Sequence, residues 1–344
     1  MCFFALMCLL LAGQSERQFP PIGILDFYGI RTVSEAQVHQ ALDFHEGDQI
    51  SGDQFEKKVQ VAEGKLETLS GVKKARLTFT CCTEGTKTIL YVGIEETAAP
   101  CRKFLPAPQG TVRLPAEVVQ AGKDFEAAFE KALQNSDFEE DDSQGFALFH
   151  NPETRAVQLR FPVLAGKHLA ILRDVLWNSS DVGDRALAAQ VLGYAKDKQS
   201  VVPDLLNAMQ DASAGVCNNA MRAMMVFARY SPGAPDKKVR IPPQPFVEML
   251  NSCIWTDRNK SAAAVSELTK ERDPATLAEL RLHALSSLVE MARWKSLGHA
   301  TSSLLVLGRL GGLSEDAIQK ELDRGDKESV IGAALKAAQV GKAK

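Results

Sequence analysis

The 344-residue sequence has no excess of positive charge: 40 lysines and arginines stand against 43 aspartates and glutamates, a net charge of −3 at pH 7. Nucleic-acid binders ordinarily display a basic patch or stripe, so this balance argues against that class. Histidine is sparse, with six residues at 39, 45, 150, 168, 283 and 299 and no ligand-like spacing. There is no phosphate-binding glycine loop, because Gly308, Gly311 and Gly312 fit neither GxxxxGKS nor GxGxxG. A GxSxG nucleophile elbow and a CxxC pair are also missing. Beyond the first 13 residues no apolar run approaches the roughly 20 residues that a membrane span requires. No catalytic, cofactor-binding or metal-ligating residue is therefore assigned, and no cofactor is expected.

What is present is ordinary globular material, 45% hydrophobic and 24% charged, in a chain long enough for two or more cores. Residues 1–13, Met-Cys-Phe-Phe-Ala-Leu-Met-Cys-Leu-Leu-Leu-Ala-Gly, form an apolar run that stops at Gln14-Ser15-Glu16-Arg17. The run matches the apolar region of a secretory signal, so 1–15 is expected to be a cleaved signal peptide and the mature chain to be exported, to the periplasm or cell envelope. The alternative is a buried or interfacial N-terminal segment of a cytosolic protein. Cys8 is not read as a lipid-modified cysteine, since Ala5-Leu6-Met7 lacks the small residue usual before one. Cleavage leaves Cys81, Cys82, Cys101, Cys217 and Cys253, an odd number and not a full disulfide framework. Cys217 and Cys253 lie in apolar helical settings and read as small core residues. Cys82 can pair with Cys101 if the compartment is oxidising.

Ile22 to Tyr28 alternates as a strand, with Ile22 and Ile24 on one side and Leu25 and Phe27 on the other. Ser34-Glu35-Ala36-Gln37 has the form of a capping box, and Val38, Ala41 and Leu42 give the short helix after it an apolar side. Phe55, Val59, Ala62, Leu66 and Leu69 then share one helical face, which Ser70-Gly71 ends. Val72 to Cys82 alternates with Ala75, Leu77, Phe79 and Cys81 on one side, and Thr88 to Glu95 reads as its partner strand with Leu90, Val92 and Ile94 inward. The order is β-α-α-β-β. With Asp26-Phe27-Tyr28-Gly29, Arg31-Thr32-Val33-Ser34, Glu46-Gly47-Asp48 and Leu69-Ser70-Gly71-Val72, residues 20–97 resemble a POTRA domain, a small module of envelope proteins. The resemblance implies a periplasm-like location and binding of other chains by strand addition to a sheet edge. The membrane β-barrel that usually follows is replaced by helices, which argues against a role in inserting outer-membrane proteins.

Three prolines between Ala98 and Gln109 mark a linker, the start of a mixed segment covering 98–166. Asp124 to Leu133 has helical spacing. The acidic run Asp137-Phe138-Glu139-Glu140-Asp141-Asp142 lacks the alternating ligands and glycine of a calcium loop; a solvated loop and a metal site are the two readings. Phe146 to His150 and Val157 to Phe161 suggest a hairpin around Asn151-Pro152-Glu153-Thr154, positioned to cap a helical array. From His168 onward the pattern is helical, and 167–344 is read as helical repeats. Aligning Ala186–Leu192 with Ala220–Val226, Ala262–Leu268 and Thr301–Leu307 gives offsets of 34, 42 and 39, near the repeat length of HEAT and armadillo arrays. Residues 168–313 resemble HEAT repeats of the short bacterial, phycobilisome-lyase type, best at Val201-Val202-Pro203-Asp204-Leu205-Leu206 and Asp211 to Ala223. Asn218 stands where that family usually has Arg, with Arg222 one turn on. Residues 231–244 form a proline-rich insertion between repeats.

The fold expectation is thus α+β: a POTRA-like domain followed by an α-solenoid of HEAT-like helix pairs. Metal-dependent hydroxylases of similar architecture repeat a His-Glu pair, whereas here it occurs once, at His45-Glu46. Trp177, Trp255 and Trp294 each end an amphipathic stretch and read as core residues or as groove hot spots. Arg185, Arg222 and Arg229 read as lining one surface or as a solvated helix face. The expected function is an exported, non-enzymatic scaffold with a protein or peptide partner, no nucleic acid and no transmembrane span in the mature chain. The alternatives are a lyase-like or other enzyme of the HEAT-repeat class, marked by a His- or Cys-lined polar pocket, and a cytosolic repeat scaffold.

Overall fold

A computed structural model describes residues 20–50, 55–80, 87–98, 104–135, 137, 139–230 and 239–342. The signal-like segment, the cysteines at 81, 82 and 101, and most of the proline-rich insertion lie outside the described residues. Strand β1 (Ile22–Tyr28), helices α1 (Glu35–Ala41) and α2 (Phe55–Glu67), and strands β2 (Val72–Thr80) and β3 (Thr88–Glu96) follow the expected order. The sheet runs β1-β3-β2, with β1 parallel and β2 antiparallel to the central β3. Leu25, Ala75, Leu77, Leu90, Val92 and Ile94 form one apolar face against Val38, Leu42, Ala62 and Leu66. That is the face which the alternation in β2 and β3 and the α2 spacing point to. Ser34 stands at the N-cap of α1, yet its side chain makes no capping bond. The ordering group is Glu96, whose carboxylate accepts from the backbone N–H groups of Arg31, Thr32 and Val33 and from the Thr32 hydroxyl.

Next come α3 (Ala116–Gln134), the short strands β4 (Glu140–Asp141) and β5 (Leu148–Phe149), α4 (Pro152–Gln158) and α5 (Phe161–Lys167). Helix α3 starts eight residues before Asp124. Its first turns carry buried Val118, Ala121 and Gly122, and a Cβ on Gly122 would sit 2.6 Å from Leu187. The hairpin expected around Asn151-Pro152 is not formed there. Asn151 is a helix N-cap accepting from the Thr154 N–H, with Pro152 in the first helical turn where its missing N–H costs nothing. The strand partner of β5 is β4, upstream, and Gln158 of α4 stays close by accepting from Phe149 N–H and donating to the Ala147 carbonyl.

Helices then come in antiparallel-type pairs joined by short turns: α6 (Leu169–Asn178) with α7 (Val182–Leu192), and α8 (Lys198–Ala208) with α9 (Ala214–Tyr230). They continue with α10 (Gln244–Met249) and α11 (Trp255–Leu268), then α12 (Pro274–His283) and α13 (Leu285–Ala292) with α14 (Leu297–Leu310), and α15 (Glu315–Asp323) with α16 (Lys327–Lys342). All four aligned segments, at 186, 220, 262 and 301, fall in second helices of pairs. The periodic face from Leu277 to Met291 is split at Ala284, whose φ of −133° ends α12 and restarts the chain as α13. A side-chain device recurs at the turns: Arg185 donates to the Ser179 carbonyl, Cys217 Sγ to that of Asp211 and Arg258 to that of Ser252.

The chain divides into two compact units. Among described residues, one holds 104–230, 239–245 and Ala263–Lys270; the other holds 20–98, Phe246–Ala262 and 271–342. The sheet thus shares a unit with C-terminal helices, and its second face is closed by them. Tyr28 donates its hydroxyl hydrogen to the Cys253 carbonyl at 2.8 Å. Tyr91 stacks on Trp255 with ring centres 5.2 Å apart and meets Trp294 at 4.8 Å. Gly93 admits this approach, since a Cβ there would lie 2.1 Å from the Cys253 oxygen.

Candidate docking surfaces

With both sheet faces covered, the sheet offers its outer strands, β1, whose start at Ile22 is bonded to Gly47 and Asp48, and β2. Among the described residues, side chains and not a strand occupy the β2 edge and hold its outward backbone groups. Glu67 Oε1 accepts from the Ala75 N–H at 3.1 Å and Glu63 Oε1 from the Leu77 N–H at 2.9 Å. Arg76 Nη1 donates to the Ala75 carbonyl at 2.5 Å and lies 3.3 Å from a carboxylate oxygen of each glutamate. Glu63 and Glu67 are one turn apart on α2, flanking its apolar stripe, so both reach the same stretch of edge. Burial pushes the Glu63 carboxyl above its usual range, against the lowering effects of the Leu77 N–H and Arg76. This Glu-Arg-Glu triad was not legible beforehand. The i,i+4 glutamates with a strand Arg were its only trace.

The second face forms a closed aromatic box. His299 Nδ1 and the Tyr91 hydroxyl share a 2.7 Å hydrogen bond. Burial brings His299 down to about 4, so its ring is neutral at physiological pH. Asp26, in the same unit, is raised to about 6, chiefly by burial, although it accepts the Lys295 N–H at 2.9 Å and lies near Lys327. Trp255 and Trp294 are core residues here, at 0% and 1% exposure.

In the other unit the arginines take separate roles. Arg185 is buried and bidentate to Asp211, at 2.8 and 3.0 Å, tying α7 to the turn before α9. Arg222 and Arg229 share a face of α9, and the acidic run lies against it. Glu140 pairs with Arg222, Asp142 with Arg229 at 3.1 Å, and Asp141 with Arg155 of α4 at 3.1 Å. The second half of the run, Glu140 to Asp142, is therefore held by arginines, whereas Asp137 and Glu139 are exposed, as a solvated loop would have them, with Asp137 accepting from the Asn151 amide and Glu139 beside His150. Burial, then the nearby Arg229 charge, lowers Arg222 to about 10, still protonated at neutral pH. Trp177 differs from its two counterparts: it is 44% exposed and donates its indole N–H to Asp204, which also accepts from Arg173. Among the described residues no group of three or more His, Cys, Asp or Glu side chains could hold a metal. None of their helices is long and apolar enough to cross a membrane.

No protein-family model matches the chain, and no curated protein matches it. Among solved structures it is similar to a designed armadillo repeat protein at 16% identity, over 57% of this chain and 98% of that one, with a TM-score of 0.35. A second designed armadillo repeat protein, in complex with a (KR)4 peptide, matches at 15% identity over 57% and 98%, with a TM-score of 0.34. Computationally designed armadillo repeat proteins for modular peptide recognition match at 17% over 64% and 99%, with a TM-score of 0.37. Likeness at this level carries no argument about what the chain binds, and the repeat character rests on the helix pairs themselves.

Proposed function

We propose that the chain is an exported, non-enzymatic protein-binding scaffold of the cell envelope, made of a POTRA-like module and HEAT-like helix pairs. The observation that carries the reading is the β2 edge. It is an outer strand of a three-stranded sheet whose outward N–H groups at Ala75 and Leu77 are held by side chains. An extended segment adding beside β2 would satisfy those groups with main-chain carbonyls. On the helical side, exposed Trp177 supplies the kind of aromatic anchor, with a pre-oriented N–H, that dominates binding energy at interfaces. His299 is enclosed by aromatic rings and hydrogen-bonded to Tyr91, which supports packing over acid-base work.

Two measurements test this. Sequencing the N-terminus of the chain recovered from a producing cell should show loss of about the first 13 to 15 residues, as export by a cleaved signal requires. The full chain with a photo-reactive residue at Lys73, or at exposed Ser180 close to Trp177, should give discrete protein adducts in an envelope fraction. An intact N-terminus would remove the envelope location, and adducts at neither position would remove the scaffold reading.

A further inference from the structure

The triad occupies the positions that a fourth strand would use. The outward N–H of Ala75, the outward carbonyl of Ala75 and the outward N–H of Leu77 are met in turn by Glu67, Arg76 and Glu63. Each of the three is a side chain on a rotatable stem, and Arg76 and Glu67 are 35% and 36% exposed. Rotation about side-chain bonds carries all three off the edge, Glu63, at 17% exposure, being the most enclosed of them. Building on the scaffold reading, we propose that this triad is an exchangeable stand-in for a partner strand. The edge takes an extended protein segment whose charges run basic-acidic-basic, with the acidic residue beside Arg76.

The charge order follows from the alternation of side chains along strands. Arg76 belongs to the sheet face opposite that of Ala75 and Leu77, while Glu63 and Glu67 come from α2 on the Ala75 and Leu77 side. A strand that replaces the glutamates at the two N–H groups separates them from Arg76. It leaves a cation on one face of the new pair and two carboxylates on the other. A partner carboxylate on the Arg76 face restores the ion pair, and its two neighbours, pointing to the α2 side, meet Glu63 and Glu67. Opposite charges across adjacent strands stabilise the pairing and like charges oppose it, so the reversed order acidic-basic-acidic is rejected at all three positions.

The test uses the full chain and synthetic peptides of alternating Val and Thr whose centre is Lys-Glu-Lys, Glu-Lys-Glu or uncharged, followed by fluorescence anisotropy. The Lys-Glu-Lys peptide should bind about tenfold more tightly than the Glu-Lys-Glu peptide, the equivalent of roughly 1.4 kcal/mol. Its backbone N-methylated form should not bind. Glu63→Ala/Glu67→Ala should tighten binding of the uncharged peptide, because the internal competitor is gone. Glu63→Gln/Glu67→Gln keeps the acceptors should the double alanine variant fail to fold, and should lower the Lys-Glu-Lys preference. Arg76→Gln should remove the preference for acid at the centre without abolishing uncharged-peptide binding. Peptide binding should also slow amide exchange at Ala75 and Leu77. Equal binding of the two charge orders, binding that survives N-methylation, or no binding by wild type and both glutamate variants would each overturn the proposal. Self-association of the glutamate variants without peptide binding would overturn it too, leaving the triad as edge protection only. If the peptides fail while crosslinks at Ser180 persist, the edge inference falls and the scaffold reading stands. Loss of both removes the scaffold as well.

Discussion

Asp26 offers the sharpest check on how the sheet and the C-terminal helices are packed in their shared unit. Its side chain is on the second face of the sheet, 7% exposed, and its carboxyl titrates near 6 instead of 3.8. The dominant cause is burial, which the Lys295 N–H and the charges of Lys295 and Lys327 only partly offset. A carboxyl whose folded pKa lies above its unfolded value makes the folded state hold the proton more tightly. Ionisation therefore costs stability: nothing below about pH 4, an increasing amount between 4 and 6, and the full penalty above 6. The gap corresponds to roughly 3 kcal/mol at about 1.4 kcal/mol per pKa unit. Asp26→Asn keeps an oxygen for the Lys295 N–H and removes the charge, but gives up attraction to Lys327, so a net gain of about 1–3 kcal/mol at pH 8 is expected. Denaturant unfolding of both proteins at pH 8 and pH 4 measures it. The advantage of the variant should shrink or vanish at pH 4. A difference that does not change with pH, or a variant less stable than wild type at pH 8, would refute the packing described for this face.

Three other substitutions probe separate joints. Glu96→Ala leaves three backbone N–H groups and the Thr32 hydroxyl without their acceptor and should cost about 3–5 kcal/mol in chemical denaturation. Burial alone would raise the Glu96 carboxyl, but bonds from Thr32, Val33 and Arg31 bring it to about 2. Its contribution is thus present above about pH 4.5 and is lost as pH falls toward 2, so acid unfolding in that window should be blunted in the variant. Arg185→Met strands the buried Asp211 carboxylate and should cost about 3–5 kcal/mol, most of it recovered in Arg185→Met/Asp211→Asn; a double variant as unstable as the single would contradict a pairwise tie. Gly93→Ala pushes a methyl into the Cys253 carbonyl and the Tyr28 hydroxyl, and should lose about 1–3 kcal/mol with a shift in tryptophan emission, since Tyr91, Trp255 and Trp294 share that layer.

Local periodicity determined a good deal. The alternation in Val72–Thr80 and Thr88–Glu96, the 4-3-4-3 spacing of Phe55 to Leu69, and the aligned segments at 186, 220, 262 and 301 place strands, helices and helix pairs. These signals are carried by neighbours a few residues apart, which sense only whether a face is apolar. Turn chemistry was less decisive: Asn151-Pro152 reads as a hairpin turn, yet it caps α4, and the strand partner of β5 is β4 upstream. The tertiary structure alone decided which charges meet. The acidic run gains Arg222 and Arg229 from α9, Tyr28 gains the Cys253 carbonyl 225 residues away, and Glu63, Glu67 and Arg76 converge on one strand edge. A charged residue in sequence carries no record of its partner, because ion pairs and hydrogen bonds depend on distance and direction in space, and chain order constrains neither beyond a few residues.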